Sequence, residues 1–132
     1  MRVLVDTSVW SLSLRKGGPA DHPAVRNLSR LLEDGQDLFL TGVILQEVLQ
    51  AFRAETTFRR VARHLEPFPL LSLERAGFAE AAGLYRQCAS KGIAVSTVDC
   101  EIATTAIRND CSLLTADRDF ERMARLCDLK LL

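Results

Sequence analysis

The hydrophobic residues of this chain fall into two kinds of segment that alternate along it. Short, continuous apolar runs predict buried strands at 3–5, 37–41, 69–73 and 112–115, with a further edge strand at 129–132. Because these runs do not alternate with polar residues, they are typical of strands covered on both faces. The pattern therefore predicts a parallel sheet with helices on each side.

Longer stretches between these runs repeat their apolar residues at helical spacing. The first predicted helix runs through Trp10–Leu14, is capped by Thr7-Ser8 and is broken at Lys16–Pro19. The remaining predicted helices cover 24–34, 43–53, 56–65, 75–91, 96–110 and 117–126. Capping signals mark several of their ends, namely Thr41, the Ser96 and Asp99 capping box, Gly35 and Gly92.

Strands that alternate with helices indicate an α/β fold, here an α/β/α sandwich whose central, mostly parallel sheet has four or five strands. At 132 residues the chain suits a single domain, 1–132, able to bury roughly two thirds of its surface. In such sheets the ligand site lies beyond the carboxyl ends of the strands, where the connections diverge to opposite faces. Residues directly after the strands are therefore the first candidates for chemistry.

Composition narrows the function classes. The 17 basic and 17 acidic residues cancel, so the chain lacks the globally basic character of a protein that coats nucleic acid. No apolar run is long enough to cross a bilayer, and Met1 leads into a strand without a secretory leader, so we expect a cytoplasmic protein with no membrane partner. The four cysteines form no C-x-x-C pair, which favours reduced thiols, and His22 and His64 are assigned no role.

Four acidic residues stand out. Asp6 and Asp117 lie one and two residues beyond the first and fourth predicted strands, although each taken singly is more often a cap or turn residue. Glu47 lies in the middle of an apolar helix face and is expected to point inward, with an interior salt bridge or a helix rotated toward water as the alternatives. Asp99 continues an apolar stripe into the first turn of its helix, where it also suits the Ser96 cap.

Carboxylates gathered at one sheet edge would repel one another. Two unit charges about 5 Å apart interact by roughly 3 kcal/mol at an effective dielectric of about 20. A hard divalent cation would offset this repulsion, and an all-oxygen ligand set favours Mg²⁺ or Mn²⁺ over zinc. Such an ion suits phosphodiester cleavage, because it lowers the pKa of a bound water and stabilises charge on the phosphate.

Four segments together resemble the PIN domain and, within it, the toxin nucleases of VapBC toxin–antitoxin pairs: VLVDTSVW, TGVILQEVLQ, STVDCEIATTAIRN and LLTADRDFERMA. The resemblance covers essentially the whole chain. It implies a PIN-like sandwich and a Mg²⁺- or Mn²⁺-dependent endoribonuclease that leaves a 5′-phosphate and a 3′-hydroxyl. The acidic quartet of the family falls on Asp6, Glu47, Asp99 and Asp117, as direct or water-mediated metal ligands, with Glu47 or Asp99 accepting a proton from the attacking water.

Three further residues are candidates for supporting roles. Thr7, after the first acid, and Thr115, in the closing motif, are able to hydrogen-bond the carboxylates or a metal-bound water, although Thr7 is equally suited to cap a helix. Some relatives carry a second acid at the position of Asp119, which makes it a candidate metal ligand. Its position is equally suited to the N-cap of the last helix.

The resemblance also implies partners. These are an RNA substrate, a second copy of the chain, and a small VapB-type antitoxin whose C-terminal segment inserts a basic side chain among the acids. There are two candidate dimer surfaces. One lies on the first helix and contains Trp10, Leu12 and Leu14, and the other is the pair of helices that carries Phe58. An arginine group is a candidate contact for RNA or an acidic partner, with a solvated helix face as the commoner alternative: Arg53, Arg59, Arg60 and Arg63.

Other functions compete with a nuclease. A haloacid-dehalogenase-type phosphatase needs an acid two residues after its first aspartate, where this chain has Ser8. A phospho-receiver domain needs an acceptor aspartate after the third strand, which here ends in Ser72-Leu73. A catalytically inactive PIN scaffold that binds RNA or assembles with other proteins is the remaining alternative, although degenerate members usually lack acids that this chain retains.

Overall fold

The computed structural model describes residues 1–15, 17–18 and 20–132. The elements along them are β1 (Arg2–Val5), α1 (Thr7–Leu14), α2 (Pro23–Glu33), β2 (Asp37–Thr41), α3 (Gly42–Gln50), α4 (Glu55–Leu65), β3 (Leu70–Leu71), α5 (Arg75–Ser90), α6 (Thr97–Arg108), β4 (Ser112–Leu114), α7 (Asp119–Met123) and β5 (Lys130–Leu131). The first helix ends at Leu14, close to the break predicted at 16–19. Two residues of that predicted break, Lys16 and Pro19, lie outside the described residues.

The strands of the described residues form one sheet in the order β3-β2-β1-β4-β5. Each neighbouring pair is parallel, which confirms the interpretation of the uniformly apolar runs. β1 lies in the middle, where Val3 pairs with Leu38 on one side and with Ser112 on the other. The three residues Val3–Val5 are completely buried, as expected of a central strand between two layers of helices.

The helices pack in two groups. α1 contacts α2 and α3, and α3 contacts α4, whereas α5 packs along α6. Together with the sheet they form the expected α/β/α sandwich. Trp10 is 1% exposed and packs against Phe68, with their ring centroids 5.4 Å apart. The prediction that Trp10 forms part of a dimer surface is therefore wrong, because its indole belongs to the core; Leu12 and Leu14 are partly buried.

Several element ends differ from the prediction. α3 stops at Gln50, three residues short, and β3 contains two residues because it lies at a sheet edge and pairs only with β2. The helix expected from 117 begins at Asp119 and ends at Met123. His22, which was assigned no role, caps α2: its Nδ1 accepts a hydrogen bond from the Ala24 N–H at 3.1 Å. The predicted Thr41 cap of α3 is confirmed.

The cysteines are free thiols, as expected. Cys88, Cys100 and Cys111 are buried, and desolvation raises the pKa of Cys100 to about 11. Such a thiol is almost entirely protonated at neutral pH, which makes it a packing residue rather than a nucleophile. Within the described part of the chain, no helix has both the length and the apolar character needed to cross a membrane.

Candidate active site

Asp6 and Asp117 lie at the carboxyl ends of two neighbouring strands, β1 and β4. Val5 pairs with Leu114 in the parallel register, and the Asp6 N–H continues this ladder by donating to the Leu114 carbonyl at 2.9 Å. From β1 the chain builds the sheet toward β2 and β3, whereas β4 and β5 lie on the opposite side. The pair therefore marks the switch point of the sheet, where α/β folds place their ligand sites.

Asp6 is the one fully buried member of the predicted quartet, with 6% of its surface exposed. Its Oδ2 accepts two hydroxyl hydrogen bonds, from Ser8 Oγ at 2.7 Å and from Thr115 Oγ1 at 2.9 Å. Burial raises the pKa of Asp6, and hydrogen bonds from the two hydroxyls and from the backbone of Thr7 and Ser8 oppose only part of this shift. Ionised Asp6 is thus held at an energetic cost that a nearby cation would reduce.

Thr115 connects the two strand-end acids. Besides donating to Asp6, its hydroxyl oxygen accepts the Asp117 N–H at 3.0 Å. Asp117 is half-buried, and its Oδ1 accepts the Asp119 N–H at 2.9 Å at the start of α7. The loop after β4 is therefore held by side chains that also hold Asp6.

Glu47 reaches the same region from α3. Its Oε1 accepts a hydrogen bond from Thr7 Oγ1 at 2.8 Å. Since Thr7 directly follows Asp6, this hydrogen bond joins the helix-borne acid to the turn after β1. Thr7 was an alternative candidate for the cap of α1, and that role is wrong: Asp6 occupies the N-cap position, no side-chain cap hydrogen bond forms there, and Thr7 is the first helical residue.

The inward face of α3 differs from the predicted one. Ile44 and Val48 are buried, but Ala51 is exposed and Glu47 is half-buried. Among the described residues Glu47 has no salt-bridge partner. Of the alternatives, the helix rotated toward water is the one observed, and it leaves the Glu47 carboxylate at the border between core and solvent.

Asp99 lies in the first turn of α6 and completes the predicted capping box. Ser96 Oγ accepts the Asp99 N–H at 3.0 Å, and Asp99 Oδ2 accepts the Ser96 N–H at 3.2 Å. Partial burial raises the pKa of Asp99; the Ser96 hydrogen bonds oppose this shift, while the negative charges of Asp117 and Asp6 raise the pKa further. Asp99 is therefore close enough to both strand-end acids to be repelled by them.

One of the two interpretations of Asp119 made it the N-cap of the last helix, and that interpretation is wrong. The N-cap position of α7 is Arg118, and Asp119 is the first helical residue. Its Oδ1 accepts a hydrogen bond from Arg122 Nη2 at 2.7 Å, in an ion pair that is about half exposed. The carboxylate of Asp119 thus forms an ion pair one turn along its own helix, whereas among the described residues no acid of the quartet has an ion-pair partner.

Ser8 is a site residue that the sequence pattern did not reveal. Its Oγ donates to Asp6 Oδ2, accepts the Ala116 N–H at 3.0 Å, and lies 3.3 Å from Thr115 Oγ1. The sequence offered one signal, a small hydroxyl residue two positions after Asp6. Serine at the start of a predicted helix is also typical of an N-cap, so this signal does not distinguish a site residue from a cap.

The donor atoms around Asp6 suit a hard cation. They are carboxylate and hydroxyl oxygens, and burial raises the pKa of Asp6 and of Asp99, so that a nearby cation would stabilise their ionised forms. Across residues 1–15, 17–18 and 20–132, no group of three or more Asp, Glu, His or Cys side chains is placed so that it could by itself hold a metal ion. The chemistry of this donor set fits Mg²⁺ or Mn²⁺, which typically keep several waters beside few protein ligands.

The predicted arginine group lies around α4 and is exposed to solvent. Arg59 pairs with Glu55 at 2.9 Å, with both side chains well exposed. Phe58, Arg59, Ala62 and Arg63 line an open recess of about 420 Å³. This surface has the features of a solvated helix face, and an exposed phenylalanine lies within it.

Comparison with known proteins places the chain in a family. Residues 3–126 match the PIN domain. Ribonuclease VapC11 of Mycobacterium tuberculosis and VapC ribonuclease Mb1587 of Mycobacterium bovis are each 32% identical to the chain over 130 residues, which cover 97% of this chain and 96% of the relative.

Solved structures share the fold over nearly the full length. VapBC2 from Rickettsia felis, solved with a DNA fragment from its promoter, has a TM-score of 0.79 at 18% identity and covers 100% of this chain and 98% of that chain. VapBC-1 from nontypeable Haemophilus influenzae has a TM-score of 0.73 at 17% identity, with coverage of 100% and 97%. FitAcB from Neisseria gonorrhoeae has a TM-score of 0.72 at 21% identity, with coverage of 98% and 96%. The chain thus belongs to the PIN domain family and, within it, to the VapC ribonucleases.

Proposed function

We propose that this chain is a divalent-cation-dependent endoribonuclease, the toxin of a type II toxin–antitoxin pair that inhibits translation by cleaving RNA. The observation that carries the proposal is that Asp6 and Asp117 follow neighbouring strands at the switch point of a parallel sheet. Two further contacts support it: Glu47 accepts a hydrogen bond from Thr7, directly after Asp6, and the charges of Asp117 and Asp6 raise the pKa of Asp99. The VapC ribonuclease relatives support RNA as the substrate. The whole chain, 1–132, acts in this proposal as a single PIN domain in the cytoplasm.

Each acid has a role in the proposed reaction. Asp6, Glu47, Asp99 and Asp117 hold Mg²⁺ or Mn²⁺, directly or through water. When bound, such an ion lowers the pKa of water and stabilises charge on the scissile phosphate. Glu47 or Asp99 accepts the proton of the attacking water, and the products carry a 5′-phosphate and a 3′-hydroxyl.

The hydroxyl residues act through the acids. Thr7 orients the Glu47 carboxylate through its 2.8 Å hydrogen bond. Thr115 holds Asp6 by its hydroxyl hydrogen and Asp117 by its hydroxyl oxygen. Asp119 joins the ligand set only if its ion pair with Arg122 opens, which makes it the weaker candidate.

The proposed protein partner is a VapB-type antitoxin. Its C-terminal segment would insert a basic side chain among the acids, where burial and mutual repulsion favour a positive charge as an occupant. The likeness of the fold to VapBC2 from Rickettsia felis supports a VapB-type partner. A basic side chain in that position would compete with the metal ion and keep the nuclease inactive.

We also propose that two copies pair through the exposed side of α5. Phe78 and Tyr85 are 51% and 44% exposed, and they lie seven residues apart on one side of that helix. With Ala82 and Arg86 they border a recess of about 310 Å³. Exposed aromatic residues beside a recess are typical of protein interfaces, and they replace the buried Trp10 as the proposed contact.

Cleavage of a labelled RNA tests the nuclease proposal. We expect wild-type protein to cut it in Mg²⁺ or Mn²⁺ and to stop when EDTA is added, with 3′-hydroxyl ends on the upstream products. Asp6→Asn should reduce the rate by at least about 100-fold, since even residues behind the ligands usually contribute 10–100-fold. Asp128→Asn, at an exposed acid of the same type, should cut at the wild-type rate.

Two results would contradict this proposal. If Asp6→Asn cleaves RNA as fast as the wild type, the quartet is not the catalytic site. If the wild type binds RNA without cutting it in either metal, the chain is an RNA-binding scaffold instead.

A further inference from the structure

Ser8 lies in the first turn of α1, between the turn after β1 and the loop after β4. Its Oγ is 2.7 Å from Asp6 Oδ2 and 3.0 Å from the Ala116 nitrogen. It is also 3.3 Å from Thr115 Oγ1. A single partly buried hydroxyl therefore contacts the chain on both sides of the switch point.

The hydrogen positions at Ser8 and Thr115 follow from their partners. Each hydroxyl oxygen accepts a backbone N–H, from Ala116 for Ser8 and from Asp117 for Thr115. A hydroxyl has one hydrogen, and ionised Asp6 offers only acceptor atoms. Both hydroxyl hydrogens therefore point to Asp6 Oδ2, and the 3.3 Å separation between the two hydroxyl oxygens is a contact without a shared hydrogen.

Two donors on one oxygen fix the rotation of the Asp6 carboxylate. Among the described residues, no side-chain donor reaches the other oxygen, Oδ1. Oδ1 is therefore the Asp6 oxygen without a hydroxyl partner and the one better placed to meet a cation. The Ala116 N–H bond has a second effect, because it ties the residue before Asp117 to the same hydroxyl that orients Asp6.

We propose that Ser8 is a positioning residue for the metal site, which orients Asp6 for ion binding and sets its spacing from Asp117 through Ala116. Ser8 itself touches neither the ion nor RNA. The inference rests on the proposed function, since it concerns the same ion site, and it adds a residue outside the acidic quartet.

A purely structural role for Ser8 would lead to a different result. If Ser8 only stabilised the two loops, its loss would lower the unfolding temperature but leave the ion affinity of the folded protein unchanged. Ser13 provides a matched comparison on the same helix, because its partly buried Oγ donates to the Trp10 carbonyl at 3.2 Å and contacts none of the acids. Ser13→Ala therefore controls for the loss of a helical serine.

Calorimetric titration of MnCl₂ into metal-free protein tests the proposal. We expect Ser8→Ala to raise the Mn²⁺ dissociation constant by roughly 10–100-fold, as loss of a residue that orients a ligand usually does. Ser8→Thr, which keeps the hydroxyl, and Ser13→Ala should both bind with nearly wild-type affinity. Thermal unfolding without metal is recorded alongside, so that each titration is known to report on folded protein.

Two results would overturn the proposal. One is an unchanged Mn²⁺ dissociation constant in Ser8→Ala, and the other is a loss of Mn²⁺ affinity in Ser13→Ala as large as in Ser8→Ala. If Ser8→Ala does not fold, Ser8→Cys replaces it with the same expectation, because a thiol has nearly the same size but donates weakly. If the wild type takes up no Mn²⁺, the proposed function itself fails and this inference fails with it, which separates the two cases.

Discussion

At the scale of single residues, the site is defined by Asp6, on whose pKa burial and hydrogen bonding act in opposite directions. Burial raises its pKa, and two hydroxyls and two backbone groups oppose that shift. Its place at the end of a buried strand was visible in the sequence, since it ends an apolar run. The role of Ser8 was not, because it depends on Ala116, more than 100 residues away along the chain. Side-chain partners of this kind follow from the tertiary fold and leave no local pattern.

Asp6→Asn should raise the unfolding temperature of the metal-free protein at neutral pH. Because the pKa of Asp6 is higher in the folded state than in the unfolded chain, folded protein binds this proton more tightly, and stability falls as pH rises through that window. The amide removes the buried charge, and a gain of about 1 kcal/mol corresponds to roughly 3–5 °C. Circular dichroism melts at pH 4 to 7.5 should show the gain shrinking on acidification.

Asp128→Asn is the control for this pH series, since its side chain is exposed. Its melting temperature should follow that of the wild type at every pH. A lower melting temperature for Asp6→Asn at neutral pH, or a difference that grows as the pH falls, would contradict the assigned cost of the Asp6 charge.

At the scale of elements, sequence periodicity predicted the order and type of the helices and strands better than their ends or faces. Apolar spacing is a local property, so it survives in the fold. The rotation of α3 and the true start of α1 depend on contacts between these two helices, including the Thr7 to Glu47 hydrogen bond. The Thr41 cap and the Ser96 and Asp99 box were predicted correctly for the same reason, whereas the caps expected at Thr7 and Asp119 do not form.

Ser96→Ala should destabilise α6 and thereby the protein. The change removes the hydroxyl that accepts the Asp99 N–H, and loss of such a cap costs about 1 kcal/mol, or roughly 3–5 °C in the melting temperature. Ser90→Ala is the control, because Ser90 bonds the Gln87 carbonyl at the exposed end of α5. Equal melting temperatures for Ser96→Ala and the wild type would show that the box adds no stability.

At the scale of the whole molecule, the strand order brings Asp6 and Asp117 to the same edge of the sheet. The sequence predicted that Asp6 and Asp117 follow strands, but it did not predict that those two strands are neighbours. Pairing of β1 with β4 joins residues more than 100 positions apart, which periodicity cannot report. Strand ends and apolar helix faces made the four acids candidates one by one, and the resemblance of four segments to a known family assigned them to one site.

Phe78→Glu should convert the proposed homodimer into a monomer. A charge placed at the centre of an apolar contact must be desolvated on association, which usually costs several kcal/mol. Light scattering coupled to size exclusion would show the mass fall by half. Phe58→Glu, at an aromatic residue 37% exposed on α4, is the matched variant: dissociation by this change, and not by Phe78→Glu, would move the interface to α4.

The central claim is that acids from four segments form one divalent-cation site, and calorimetric titration with Mn²⁺ tests it most directly. We expect wild-type protein and Asp128→Asn to bind Mn²⁺ alike. Asp6→Asn, Glu47→Gln, Asp99→Asn and Asp117→Asn should each bind at least about tenfold more weakly. No uptake by the wild type at millimolar Mn²⁺, or quartet variants that bind as tightly as Asp128→Asn, would contradict the account.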